Sequence, residues 1–95
     1  MHSALLIVDR PNPNNENKNW VTFITNSQNI IALNKEQHKS ESTHAFADNV
    51  FLVPLKNELH VFTALTQRAR DLGFNTRVTF FDAYPSFVIS QAGMI

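Results

Sequence analysis

The chain has 95 residues, 43% of them hydrophobic, and eight of them are Phe. This apolar content excludes an intrinsically disordered chain, and the length predicts one small domain with a single core. Eight basic residues balance eight acidic ones, so the chain lacks the Lys/Arg excess that is typical of nucleic-acid binders. Cysteine is absent, which excludes disulfides and cysteine nucleophiles and is compatible with a reducing compartment.

The first predicted element is a strand over residues 4–8, an apolar run that is too short to favour a helix. Asp9 ends this run, which is also too short for the core of a signal peptide or for a membrane span. We therefore expect a central strand, no membrane association and a cytoplasmic location. Residues 10–19 are rich in proline and asparagine and predict a loop.

The next stretch predicts a β-hairpin. The side chains of residues 20–25 alternate approximately between the two sides of a strand, with Val21 and Phe23 on one side. A second apolar run covers residues 30–33. The polar residues 26–28 between the two runs have the composition of a turn. We therefore expect two short antiparallel strands here.

Residues 34–48 are polar and predict a loop with at most one helical turn. The segment contains His38, Glu41 and His44, whose imidazole and carboxylate groups are possible ligands for a divalent metal. Their spacing matches no established ligand motif, and histidines in a polar loop are usually solvated. These three residues are weak metal candidates only, and the chain is expected to need no metal or other cofactor.

A strand, a capped helix and a second strand follow one another in the second half of the chain. Residues 50–53 form a continuous apolar run closed by Pro54, which is typical of a buried strand. Asn57 can cap a helix that Gly73 ends, and residues 77–82 then resume strand composition. The predicted apolar face of the helix consists of Leu59, Phe62, Leu65, Ala69 and Leu72. Two strands joined by a helix normally lie parallel, so we expect a β-α-β unit.

The predicted fold class is therefore α+β, with a mixed sheet of five or six strands that contains one parallel β-α-β unit. Residues 86–90 supply a short closing strand and residues 91–95 a loose tail. One main helix covers one face of the sheet, so something else must cover the other face. The options are residues 34–48, the hairpin folded over as a second layer, a second copy of the chain, a protein partner or a ligand.

The face of the predicted sheet that the helix leaves uncovered indicates a role in protein interaction. Its expected interface residues are Phe51, Val53, Phe81 and Val88. Val50 and Leu52 are the alternative to the first two, because successive strand residues point to opposite faces. The apolar area of these aromatic and aliphatic side chains would exceed the area that monomers usually leave exposed to solvent. We therefore expect a small non-enzymatic interaction protein in an accessory or regulatory role. A homodimer is ranked first, with cover by residues 34–48 of the same chain close behind and another protein partner as a further option.

Polar residues at the strand ends suggest a different function, that of a small hydrolase or nuclease. The candidate catalytic residues are Asp9, Arg10, Lys56, His60 and Asp82. The carboxyl ends of parallel strands meet at one sheet edge, which would gather an acid, a base and a cation. The loop before the helix lacks glycine, however, and Glu58 would repel a phosphate, which disfavours a dinucleotide or P-loop site. Because aspartate is also an ordinary turn residue, a structural role is favoured.

The aromatic residues suggest a third function, the binding of single-stranded nucleic acid. The residues that could stack on bases from an open sheet face are Trp20, Phe80, Phe81, Tyr84 and Phe87. The glycine-rich and basic signature of such strands is missing, and aromatic residues in strands usually belong to the core. Nucleic acid is therefore a disfavoured partner.

Overall fold

A computed structural model of the chain describes residues 2–12, 17–35 and 42–83. The elements in chain order are β1 (Ser3–Val8), α1 (Lys18–Lys35), β2 (His44–Ala47), β3 (Val50–Pro54), α2 (Leu55–Asp71) and β4 (Thr76–Phe81). The four strands form one sheet in the order β2-β3-β1-β4, and all neighbours are antiparallel. This element order is that of the ferredoxin-like, or split β-α-β, arrangement. The α+β class and the strands predicted over 4–8, 50–53 and 77–82 are confirmed.

The predicted parallel β-α-β pairing is wrong for the described residues. β3 and β4 run in the same direction, but β1 lies between them and pairs antiparallel with both. Ala4, Leu6 and Val8 of β1 are fully buried, so this strand gains most from a central position with neighbours on both edges. The described part of the sheet has four strands rather than five or six, and the predictions for 86–90 and 91–95 lie outside it.

The predicted hairpin over residues 20–33 is also wrong, because these residues form most of α1. Asn17 caps this helix, since its side-chain oxygen accepts a 3.0 Å hydrogen bond from the backbone N–H of Trp20. Trp20, Phe23 and Ile30 recur at helical spacing, and all three belong to or pack against the core. The described residues therefore contain two long helices where one was expected.

Polar side chains within α1 bond to the helix itself. The hydroxyl of Thr22 donates to the carbonyl of Lys18 at 3.0 Å, and the amide of Asn26 donates to the carbonyl of Thr22 at 2.6 Å. The hydroxyl of Thr25 donates in the same way to the carbonyl of Val21 at 3.1 Å. Such bonds to the preceding turn let residues that are typical of turns remain in a helix.

Both helices pack on the same face of the sheet. The buried core cluster contains residues of β1, β3, α1 and α2, namely Leu6, Val8, Phe23, Phe51, Val53, Val61, Leu65 and Ala69. Phe23 of α1 lies edge-on to Phe51 of β3, with 6.3 Å between the ring centroids. Trp20 and Phe74 extend this aromatic group, 5.1 Å apart. The core therefore lies between the helix layer and the two central strands.

Helix α2 begins at Leu55, before the predicted cap at Asn57, and its backbone is non-helical at Glu58 (φ −130°, ψ 33°). Its buried side chains are those of Glu58, Val61, Leu65 and Ala69. Leu59, which was expected in the core, is 57% exposed instead. The buried stripe thus follows Glu58, Val61, Leu65 and Ala69 at spacings of three and four, which leaves Leu59 beside it rather than in it.

The end of α2 confirms the predicted stop at Gly73. This residue has φ 88°, and its N–H donates to the carbonyl of Arg70 at 3.0 Å. The next N–H, that of Phe74, donates to the carbonyl of Ala69 at 2.8 Å. These two bonds form a Schellman motif, in which a glycine adopts the left-handed conformation that other residues avoid.

The segment predicted as a loop over residues 34–48 contains the short edge strand β2. It pairs with β3, and its register shifts between Ala45 and Ala47. This irregular four-residue strand lacks the continuous apolar run by which the other strands were found. Residues 36–41 of the same segment lie outside the described ranges.

Candidate functional site

Two of the strand-end candidates meet where β3 and β4 end and α2 begins. A cleft of about 590 Å³ at this margin is lined by His2, Leu55, Lys56, Leu59 and Asp82. The expectation that Lys56 and Asp82 share one edge of the sheet is met, because β3 and β4 point in the same direction. An imidazole, an ammonium and a carboxylate group therefore border one cleft.

The other strand-end candidates lie at the opposite margin, because β1 is antiparallel to β3 and β4. The length of β1 separates Asp9 and Arg10 from the cleft by about 20 Å. Each forms an ion pair there: Asp9 with Arg77 at 3.1 Å, and Arg10 with Asp48 at 2.5 Å. Both arginines are largely exposed, so each pair contributes less than about 1 kcal/mol to stability. The predicted five-residue catalytic group is therefore divided between two margins.

The histidine candidates do not converge within the described ranges. His60 is exposed on α2 and is not among the residues that line the cleft. His44 is exposed on β2, with its ring centroid 4.5 Å from that of Phe46. His38 and Glu41 lie outside the described residues, which contain no group of three potential metal ligands.

Glu58, which the sequence analysis considered only as a group that would repel a phosphate, is a buried carboxylate. It is 1% exposed, and its Oε1 accepts hydrogen bonds from the N–H and the hydroxyl of Thr43, at 2.5 and 2.7 Å. Its spacing to Val61 and Leu65 is the signal that could have placed it on the buried stripe. The bonds to Thr43 give this carboxylate a structural role that joins α2 to the segment before β2.

The sheet places the expected interface residues on two different faces. Phe51 and Val53 lie beneath the helices and are 1% and 0% exposed, whereas Phe81 lies on the opposite face. The alternative pair, Val50 and Leu52, shares the face of Phe81. Leu52 is 1% exposed and Phe81 is half-buried, so this face is less open than expected. Val88 lies outside the described residues, and self-association through these residues stays a prediction.

Exposed large apolar side chains of the described sheet are Phe46 on β2 and two residues on β4. Phe80 is 46% and Val78 is 36% exposed, and both are on the helix side of the sheet. The ring of Phe80 lies 6.3 Å from that of Phe62 on α2, and Leu59 precedes Phe62 by about one helical turn. Leu59, Phe62, Val78 and Phe80 thus form one apolar surface, which we call the β4 margin.

The aromatic residues do not form a shared stacking platform within the described ranges. Trp20 packs in the core group with Phe23, and Phe80 and Phe81 point to opposite faces of β4. On the face opposite the helices, the central strands β1 and β3 carry aliphatic side chains such as those of Leu5 and Leu52. Sheet-type RNA binders place aromatic rings there. Tyr84 and Phe87 lie outside the described residues.

Neither helix in the described ranges is long and apolar enough to span a bilayer. In comparisons with known proteins, no family model matches the chain, and neither a curated protein sequence nor a solved structure matches it significantly. A functional assignment therefore depends on the surface and the cleft described above. The fold alone does not supply one, because this arrangement serves many unrelated functions.

Proposed function

We propose that this protein is a small non-enzymatic interaction protein that self-associates through the β4 margin. The observation that carries the proposal is the continuity of exposed apolar side chains from Leu59 on α2 to Phe80 and Val78 on β4. Contiguous apolar surface of this kind is characteristic of protein interfaces, whereas apolar residues that are exposed singly need no explanation.

The chemistry of the β4 margin supports protein contact over ligand binding. It consists of aromatic and aliphatic side chains, and the charged groups Lys56 and Asp82 line the cleft that its member Leu59 also borders. An apolar centre with charges at its rim is the usual composition of a protein interface. A second copy of the chain is the simplest partner, because two-fold homodimers are the commonest assemblies of soluble proteins.

A matched pair of leucine variants tests this proposal by light scattering of the full chain after gel filtration. Leu59 lies in the β4 margin and Leu33 lies on α1, and the two are 57% and 79% exposed. Leu59→Ser should shift the protein from dimer towards monomer, whereas Leu33→Ser should leave the dimer intact. A monomeric unmodified chain at high micromolar concentration would refute self-association.

The cleft supports a second candidate function, hydrolysis of a phosphoester or a related substrate. His2, Lys56 and Asp82 would there supply a base, a cation and an acid. This candidate is weakened because Asp9, Arg10 and His60, three of the five expected catalytic residues, do not line the cleft. The test is a screen of model phosphoesters with the unmodified chain and Asp82→Asn. Hydrolysis that persists in Asp82→Asn would exclude Asp82 from catalysis.

A further inference from the structure

We infer that two copies of this chain pair β4 to β4, antiparallel, about a two-fold axis at Thr79, so that their sheets join into one. This inference rests on the proposed self-association and specifies how the two chains meet. It concerns the outer edge of β4, which has no strand partner among the described residues. An exposed strand edge offers free N–H and C=O groups to another chain.

The two edges of the sheet differ in how well they are protected against such pairing. β2 has four residues and a register shift, and both features are devices that hinder edge-to-edge contact. β4 has six residues, pairs with β1 in regular register along its length, and contains neither proline nor glycine. Of the two edge strands among the described residues, β4 therefore offers the longer and more regular edge to a second chain.

The chain leaves β4 on the side of β1. The hydroxyl of Ser3 in β1 donates a 3.0 Å hydrogen bond to the carbonyl of Ala83, two residues after the end of β4. This bond keeps the chain beside β1 as far as Ala83, so the described residues that follow β4 do not cover its outer edge.

The backbone of β4 has a fixed orientation relative to the outer edge. The carbonyls of Asn75 and Phe81 accept hydrogen bonds from the N–H groups of Asp9 and His2, so both point towards β1. The direction of the backbone N–H and C=O groups alternates from one strand residue to the next. Those of the intervening Thr79 therefore also point towards β1. The residues on either side of Thr79, Val78 and Phe80, then turn their N–H and C=O groups outward.

The sequence of β4 selects one register for the self-pairing. Residues opposite each other in antiparallel strands share a face, so an axis at Thr79 places Val78 of each chain opposite Phe80 of the other. Aromatic and β-branched side chains are a favourable cross-strand pair. An axis at Val78 would instead place Thr76 opposite Phe80.

Charge favours the same register. With the axis at Thr79, the two Arg77 residues lie about 13 Å apart, which exceeds the screening length at physiological salt. With the axis at Val78 they would lie about 7 Å apart. Within each chain, Asp9 also forms an ion pair with Arg77 at 3.1 Å. The carboxylate of Asp9 therefore offsets the positive charge of Arg77, which would otherwise hinder pairing at this edge.

Single-cysteine variants test the pairing directly, because the chain has no cysteine of its own. Thr79→Cys would place two thiols in a non-hydrogen-bonded cross-strand pair, where the Cβ atoms are close enough for a disulfide. Thr76→Cys lies on the same edge, but its two copies would be about 20 Å apart. Thr25→Cys, at an exposed position of α1, is the control for collisional cross-linking. Each variant is oxidised as the full chain, with folding verified by circular dichroism.

The expected result is that Thr79→Cys forms a disulfide dimer roughly a hundredfold faster than the other two variants at micromolar protein, because pairing raises the effective thiol concentration to the millimolar range. Adding Val78→Lys to Thr79→Cys should remove this advantage. Equal rates for all three variants, with a dimeric unmodified chain, would overturn the β4 pairing and leave self-association intact. Equal rates with a monomeric unmodified chain would overturn both proposals.

Discussion

Glu58 and Thr43 are joined by two hydrogen bonds to a single carboxylate oxygen, one from the N–H and one from the hydroxyl of Thr43. Glu58 is the non-helical residue near the start of α2, and Thr43 immediately precedes β2. Both are buried, with 1% and 8% of their surface exposed. This contact attaches the irregular edge strand of the sheet to the helix that covers its centre.

Removing this carboxylate should destabilise the fold. Glu58→Ala leaves the buried N–H of Thr43 without its acceptor, and we expect it to lower the free energy of unfolding by about 2 kcal/mol. Glu58→Gln retains an acceptor oxygen and should cost less. Asp71→Ala removes an exposed acceptor of Gln67 and is the control, with a change below about 0.5 kcal/mol. Urea unfolding measures all three; equal stabilities for Glu58→Ala and Asp71→Ala would show that the bond contributes nothing.

The cap of α1 provides a test of the helix that replaces the predicted hairpin. Asn17→Ala removes the acceptor for the N–H of Trp20 and should lower stability by about 1 kcal/mol. Asn17→Ser keeps a capping oxygen and should restore most of that loss. Urea unfolding followed by far-ultraviolet circular dichroism gives both values. Identical stabilities for the alanine and serine variants would argue against a helix that starts at this position.

Gly73 allows the cost of a left-handed backbone to be measured without a clash against distant parts of the chain. An added Cβ would meet no atom within 4 Å beyond the adjacent residues, so the loss on Gly73→Ala is expected to come from the left-handed backbone at φ 88°. We expect a loss of about 1 to 2 kcal/mol in the free energy of unfolding. Gly73→Asn should lose less, because asparagine adopts this conformation more readily. A neutral alanine variant would mean that α2 ends without the Schellman motif.

Phe51 and Phe80 should respond differently to truncation. Phe51 is 1% exposed in the core, so Phe51→Ala should cost about 3 to 5 kcal/mol at any protein concentration. Phe80 is 46% exposed, so Phe80→Ala should change the stability of the monomer less and weaken the dimer. Unfolding curves at two protein concentrations separate the effects. A concentration-dependent loss for Phe51→Ala would return that residue to the interface, as the sequence had suggested.

The parts of the fold that follow from the sequence are those with a local signal. β1, β3 and β4 are short apolar runs, and the end of α2 is marked by Gly73. The helix over residues 20–33 was not predicted, because its apolar residues fit both a strand and a helix period over short windows. Its threonines and asparagines favoured the turn, although they bond within the helix.

Which candidate residues lie together depends on the directions of strands that are distant in the sequence. Lys56 and Asp82 were correctly placed together, because each follows a strand and the two strands point the same way. The positions of Asp9 and Arg10 depend on the direction of β1, and no local sequence pattern indicates that direction. Insertion of β1 between β3 and β4 is likewise a property of the whole sheet, and it places β4 at one edge of the described sheet.

Sedimentation equilibrium of the unmodified chain, with Val78→Lys and Val21→Lys, tests self-association through the β4 margin most directly. Val78 and Val21 are 36% and 64% exposed, and only Val78 belongs to this surface. We predict a mass of about twice the 10.8 kDa chain for the unmodified protein and for Val21→Lys, and the mass of one chain for Val78→Lys. One-chain mass for all three proteins at high micromolar concentration, or a dimer that persists in Val78→Lys, would contradict the account.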